Sequence, residues 1–508
     1  MKFLRLAFLF IILIKTTFSQ NTFHHIYTGN NKRVYGNDIS ATRNNNYVIT
    51  GYIQDSLDKL VAINIDEFGN ENWLKVFVDS NDVRGEKIIQ SYDNSFIVIA
   101  KSSDDLSIIR LDSLGSFMAK KSIHLTDYFL YNPKIILAYD SGLVISAIAN
   151  KNVLNQKAII KLDKFDNLEW AKLFLNTSNT GGDIISDNVG YTIVSSSYGR
   201  IALSRLDLGG TIQWTRYTEL TTFSLINGIS RTSDAGYIMV GSKDTSSCTG
   251  QIDGLIIRTD SAGIIKWINE YYDYCGDTRM YNAFEEQNGN YIVSSEVLPF
   301  FDYECAIISI DSLGNINWYK NYANNSARPF KVVNTSDGGF LTSTTGLNHD
   351  LGFDLLSIYV IKTDSIGETS CLDSTATFQI ISPNFVNDTM TIIDSLISIS
   401  INNSILTEVS ALNKHVLCSQ STEVNNLAEG FDFEIFPNPA SSYVQVVLKS
   451  AKNSVHYEII NYSGTRIKEG SHTGESNFKI DLSGLYTGLY LLRVEFNNRI
   501  VIKKIIIL

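Results

Sequence analysis

Ser309-Ile-Asp-Ser-Leu-Gly-Asn-Ile-Asn-Trp318 reads as the end of one strand, a four-residue turn and the start of the next strand, and the phrase recurs down the chain. Full copies stand at Asp66/Gly69/Trp73, Asp260/Gly263/Trp267 and Asp311/Gly314/Trp318, with near copies at Asp163/Trp170 and Asp207/Gly210/Trp214. Degenerate copies lie at Asp112/Gly115, where Met118 nearly takes the Trp place, and at Asp364/Gly367. An Asp opening such a turn accepts backbone N–H bonds, and a Gly at its fourth position supplies the left-handed conformation that sends the chain back antiparallel. The Trp then falls on the returning strand, where its ring fills space between stacked sheets.

A second phrase opens an apolar run ahead of each hairpin, as in Asp234-Ala-Gly-Tyr237 and Asp337-Gly-Gly-Phe340. The turn aspartates at 66, 112, 163, 207, 260, 311 and 364 are separated by 46, 51, 44, 53, 51 and 53 residues. Periods of that size with four short strands per unit are the mark of propeller blades. The expected fold is all-β: a seven-bladed β-propeller over 20–371, a β-rich linker module over 372–425 and a small C-terminal β-sandwich over 426–508. Blade five should use Leu225–Ile229, Tyr237–Gly241, Gly254–Thr259 and Ile264–Tyr271. The last repeat lacks an outer strand, whereas Phe23–Tyr27 is an orphan that aligns with Trp73–Phe77, so the N-terminal strand should complete blade seven. In the linker, strands are expected at Phe378–Ile381, Met390–Ile393 and Leu396–Ile401.

Met1–Ser19 carries Lys2 and Arg5, an apolar run Leu6–Ile14 and a small-residue end, the form of a secretory signal peptide. No stretch has the ~18 apolar residues of a membrane-spanning helix. The net charge of −11 forms no basic patch, which argues against nucleic acid as a partner. Five cysteines in an exported chain allow two bridges and one leftover thiol. Cys371–Cys418 would staple the linker to the last blade, and Cys275 would pair with Cys248 or Cys305. A metal site built from Cys248, Cys275 and Cys305 is the alternative, but no His accompanies them.

The C-terminal stretch places Phe436-Pro437-Asn438-Pro439-Ala440, Asn461-Tyr-Ser-Gly464, Asp481-Leu-Ser-Gly484-Leu485, Gly488-Leu-Tyr-Leu-Leu492 and Lys503-Lys504-Ile-Ile-Ile507 in order. It resembles the type A C-terminal sorting domain of the Bacteroidetes type IX secretion system. The resemblance implies passage through the periplasm, handling by the outer-membrane translocon and its sortase, and delivery to the cell surface or the medium. Asp-Ser-aliphatic triplets such as Asp112-Ser-Leu114 and Asp394-Ser-Leu396 look like the O-glycosylation acceptor of exported Bacteroidetes proteins. The turn phrase itself is similar to the tryptophan-docking repeat of quinone-cofactor dehydrogenases and to the sialidase Asp box. Its spacing fits neither, so no active-site residue is carried over from either family.

Seven histidines form no HExxH pair, and no Gly-x-Ser-x-Gly elbow, Walker loop or dinucleotide fingerprint is present. No catalytic residue, cofactor or metal is therefore assigned. The longer loops 242–253, 296–305 and 345–353 share one face and carry clustered aromatics. Tyr272, Tyr274, Phe300, Phe301 and Tyr303 are the candidate contact surface for a protein or glycan. The alternative is a secreted glycosidase or polysaccharide lyase with carboxylates or tyrosines converging at a central tunnel.

Overall fold

The computed structural model describes residues 20–507 apart from 104, 153, 175–181, 198, 221, 245–250, 273–275, 299–303, 324–327, 348–354, 370–378, 384, 390–393, 410–411, 421–432, 449–454, 462–465, 474–476, 486–487 and 497–498. The chain divides into two compact units, Met1–Gln420 and Ser421–Leu508. Both are built from antiparallel β-sheets, and no helix occurs among the described residues.

Among the described residues the first unit holds six four-stranded meanders and a seventh of three strands. In sheet five the strands are Ser224–Arg231, Tyr237–Asp244, Ile252–Thr259 and Ile265–Tyr272, each within a few residues of its expected limits. Middle strands such as Tyr237–Asp244 are buried on both faces because a neighbouring sheet covers each side, so their apolar runs are nearly unbroken. Successive sheets pack against one another, and sheet seven packs on sheet one. Val34, Ile49 and Val61 share one apolar cluster with Leu341, Ile358 and Val360. Sheet seven takes its fourth strand from the N-terminal segment: Thr22–Gly29 pairs with Leu356–Thr363, with Ile26 opposite Tyr359.

The turn phrase works as its chemistry dictates, and it also joins sheet to sheet. Asp311 Oδ1 accepts the N–H groups of Leu313 at 2.9 Å and Asn315 at 2.8 Å, and Gly314 has φ +88°. The indole N–H of Trp73 donates to Ser113 O in the next sheet's turn at 3.2 Å, and its ring lies over Gly115, where a Cβ would sit 2.7 Å from it. Trp170 meets Gly210, Trp214 meets Gly263, Trp267 meets Gly314 and Trp318 meets Gly367 in the same way. The N-terminal strand supplies the remaining aromatic contact, with Phe23 and His25 against Gly69 of sheet one. Sheet two has no Trp, and the sheet-three turn that would receive it has Asp166 instead of Gly. There Arg110 makes two 2.6 Å bonds to the Asp166 carboxylate. Gly is thus needed twice at this position, for its positive φ and for the ring above it. It is replaced where the ring is missing.

Residues 379–420 form no sheet of their own among the described residues. Six short strands pair antiparallel with the outermost strands of sheets already complete, and they do so in reverse order. Gln379–Ile381 adds to sheet five, Val386–Thr389 to four and Asp394–Leu396 to three. Ile399–Ser404 then adds to two, Thr407–Val409 to one and Leu412–Gln420 to seven. Lys75–Glu408 and Lys172–Asp394, each at 2.7 Å, pin this belt. It covers edges that would otherwise present unpaired N–H and C=O groups. The expected strand Leu396–Ile401 is split because the chain there leaves sheet three for sheet two, and Met390–Ile393 lies outside the described residues. Sheet six, whose outer strand is Ile316–Ala323, has four strands among the described residues.

The second unit has a three-stranded sheet, ordered Phe433–Phe436, Tyr443–Leu448, Asn477–Asp481, and a four-stranded one, ordered Arg466–His472, Val455–Asn461, Gly488–Phe496, Arg499–Ile507. Val444, Val446 and Phe478 from the first join Ile459, Leu492 and Ile505 from the second in one apolar core.

Candidate functional site

Six of the seven innermost strands are irregular at the same height. Their registers slip between Gly36 and Asp38, Gly85 and Lys87, Tyr131 and Lys134, Ile226 and Gly228, Met280 and Asn282, and Pro329 and Lys331. A bulge leaves its extra residue unpaired and re-aims its side chain. Asn37, Glu86, Asn132, Asn227 and Tyr281 accordingly line a common cavity, with Gly182 standing at the entry to sheet four. The residues that follow, among them Asp38, Lys87, Lys134, Asp183, Asn282 and Lys331, line an adjoining compartment of about 220 Å³ to which all seven innermost strands contribute. In each sheet the start of the innermost strand pairs with the end of the second: Val34 opposite Ile53, Ser224 opposite Lys243, Asp277 opposite Leu298. The bulges therefore lie toward the end from which the loops after the second strands emerge.

The walls are fixed by bonds between sheets. The Asn37 amide donates to Gly85 O and the Asn227 amide to Met280 O, each at 2.8 Å. Asn282 donates to Val332 O at 3.2 Å and accepts from Val332 N–H at 2.8 Å. Asp38 accepts the Ile88 N–H at 3.1 Å and stands 3.4 Å from the Lys87 ammonium. Asp183 accepts N–H groups from Ile184 at 2.9 Å and Ile229 at 3.4 Å. Lys134 reaches from sheet three to sheet five, donating to Asn227 O at 3.0 Å. No hydrogen bond or ion pair holds the Lys331 ammonium among the described residues, although it lines the same compartment.

Behind this wall lies Lys157, on the third strand of sheet three and only 1% exposed. Its ammonium sits 3.1 Å from where a Cβ on Gly182 would stand. Burial pushes its pKa down to about 7, with Asp183 opposing and Lys134 adding to the shift. Burial also lowers the pKa of Lys134, against the pull of Asp183, and raises that of Glu86, against the pull of Lys87. Four amines from sheets two, three and seven thus gather near three carboxylates: Asp38 and Asp183, whose oxygens already accept backbone N–H bonds, and Glu86 in the adjoining cavity.

The aromatic residues singled out from sequence fare differently. Tyr272 is half-buried, and its hydroxyl donates to Gln379 on the docked belt strand. Tyr274, Phe300, Phe301 and Tyr303 lie outside the described residues, as do Cys248, Cys275 and Cys371. Cys305 is buried and unbridged, so the Cys275–Cys305 pairing is not formed. Lys87, Lys134, Lys157, Lys331, Asp38 and Asp183 were not singled out. Their signal was nonetheless present: at the position after each bulge the repeats read Asp38, Lys87, Lys134, Gly228, Asn282 and Lys331, changing character where the next position stays apolar.

In the second unit the Pro437-Asn438-Pro439 turn clasps the last strand. Asn438 Oδ1 accepts the Ile506 N–H at 2.9 Å, and Ala440 N–H donates to Ile506 O at 2.7 Å. Gly484, at φ +85°, closes the turn between Asp481 and Leu485. Gly488 opens the strand that pairs with the C-terminal one, where it stands opposite Ile507. Lys503 and Lys504 lie on that last strand, opposite Leu492 and Leu491, and Gly464 is outside the described residues. His456, Glu458 and Glu469 approach one another closely enough to suggest a cation site. Glu458, however, already pairs with Arg466 at 3.1 Å and Arg493 at 2.8 Å.

No curated protein matches the chain. Solved structures similar to it include the polysaccharide lyase Uly1, at 10% identity over 65% of this chain and 90% of that one with a TM-score of 0.38. Drosophila Plexin A in complex with Semaphorin 1b is similar at 7% identity over 68% and 88%, with a TM-score of 0.36. Likenesses this distant carry no argument about ligand or activity. No helix among the described residues is long and apolar enough to cross a membrane. The family model of the secretion system C-terminal sorting domain matches residues 434–508. Those residues, with the Pro437-Asn438-Pro439 clasp and the paired terminal strand, are a type IX secretion C-terminal sorting domain, which marks the chain for the cell surface or for secretion.

Proposed function

We propose that the chain is an exported seven-bladed β-propeller that binds a protein or glycan outside the cell. On this reading the signal peptide at 1–19 takes it to the periplasm. The domain at 426–508 is then handled by the type IX translocon and its sortase, and the region 20–371, girdled by 372–425, is the delivered cargo. One observation carries the binding reading: every innermost strand contributes to one compartment, in which charged groups such as Asp38, Lys134 and Lys331 stand among isoleucines, at the end from which the loops after the second strands emerge. Rigid sheets presenting unlike polar groups to a shared cleft are the usual build of a recognition site. Tyr272, Tyr274, Phe300, Phe301 and Tyr303 belong to the same proposal as the outer part of that surface, and the Tyr272–Gln379 bond suggests that the belt helps to shape it.

A second reading, a secreted enzyme, is favoured by Lys157, because a buried amine brought near neutrality beside a carboxylate is a frequent catalytic arrangement. A glycan array and a surface pull-down with the full chain test the binding reading. Saturable capture of a glycan or protein, weakened by alanine at Tyr272, supports it. Turnover of a captured glycan, abolished by Lys157→Met, would transfer the reading to an enzyme.

A further inference from the structure

We propose that the compartment lined by Lys87, Lys134 and Lys331 binds an oxyanion, a carboxylate, phosphate or sulfate, carried on a small polar ligand. The inference rests on the binding reading above and names the chemistry its site would take. The chain as a whole is acidic, at −11, so amines gathered from three sheets into one cavity call for a counter-charge. The carboxylates at hand do not supply enough of it. Asp38 and Asp183 face three lysines there, the single ion pair being Lys87 to Asp38 at 3.4 Å, and Glu86 lines the adjoining cavity instead.

Two amines make no hydrogen bond or ion pair among the described residues. Lys331 lines the compartment itself, and Lys157, 1% exposed, lies behind it, against Gly182 of the adjoining cavity. An ammonium drawn out of water without a partner is costly, and an anion among Lys87, Lys134 and Lys331 would answer all three at once. Low-dielectric walls strengthen that attraction and focus the field of the lysines toward the opening. At about 220 Å³ the compartment has room for one phosphate or one sugar ring, so a polymer would enter by an acidic terminal unit.

The test is calorimetric titration of the full chain with inorganic phosphate, inorganic sulfate, glucuronate and, as the neutral control, glucose, all at one ionic strength. The expected result is saturable binding of at least one anion, none of glucose, and about tenfold or greater weakening in the Lys134→Gln/Lys331→Gln variant. Lys266→Gln, on the rim, should leave it unchanged. Glucuronate binding alone would identify an acidic sugar as the source, whereas equal binding of phosphate would identify the free oxyanion. If the double variant does not fold, Lys331→Gln alone gives the same readout, since that ammonium holds no described partner. No heat from any anion up to about 10 mM, or wild-type affinity in the variant, overturns the assignment. Should a glycan or protein still be captured in that event, the display reading stands and only the oxyanion site falls.

Discussion

At the rim, Trp73, Trp170, Trp214, Trp267 and Trp318 each cover the turn glycine of the following sheet, and Phe23 and His25 do so at Gly69. At the axis, Asp38, Lys87, Lys134, Asp183, Asn282 and Lys331 occupy similar places and change from one sheet to the next. Rim positions repeat because each solves the same packing problem, a left-handed turn beneath a ring. Axial positions do not repeat because they share one cavity and need not do the same thing within it. Repetition here belongs to the scaffold, and departure from it belongs to the site.

The strongest attack on the rim is Ile26→Pro. Thr22–Gly29 is bonded on both sides, to Leu356–Thr363 and to Leu412–Gln420. A proline in such a strand should cost ~3 kcal/mol or more in chemical denaturation. Acid should loosen the same strand. Burial holds the imidazole of His24 down to about 4 and that of His25 to about 3, with Lys414 contributing to the latter. The unfolded chain takes up these protons near 6.5, while the folded strand refuses them. Stability is therefore full above about pH 6.5 and is lost as pH falls toward 4. A denaturation midpoint followed from pH 7 to pH 4 should fall, and His24→Phe should flatten the fall.

Gly367→Ala is expected to cost ~2 kcal/mol, because the turn needs φ +75° and a Cβ would lie 2.5 Å from the Trp318 ring. Asp166→Gly at the one junction without an aromatic should cost less, ~1 kcal/mol, since it loses the Arg110 bonds but relieves a positive φ of 60°. If the two costs are equal, the distinction between ring junctions and the ion-pair junction fails. Smallest of all, Lys331→Gln should leave stability within ~0.5 kcal/mol while altering what the cavity binds. A larger loss would make the axis scaffold as well.

The rim was legible from sequence because Asp, Gly and Trp at fixed offsets encode a turn and its cover locally. Strand limits in sheet five followed to within a few residues for the same reason. The sorting domain was legible from motifs whose residues, such as Asn438, bond across its own fold. The belt was not. Residues 379–420 have strand-like composition, but nothing local says that each short strand serves a different sheet, in reverse order. The axial lysines were missed because a lysine in a strand ordinarily faces solvent. What gathers Lys87, Lys134 and Lys331 is the approach of sheets two, three and seven, a long-range fact that no spacing records.

Successive sheets pack on one another and sheet seven on sheet one, with the N-terminal strand as the outer strand of sheet seven, and their innermost strands share one compartment. Native-state hydrogen exchange over residues 22–29 measures the pairing of that outer strand directly. The account predicts protection of these amides close to that of Leu356–Thr363, the strand they pair with. Free exchange at residues 22–29 while 356–363 stays protected would contradict it.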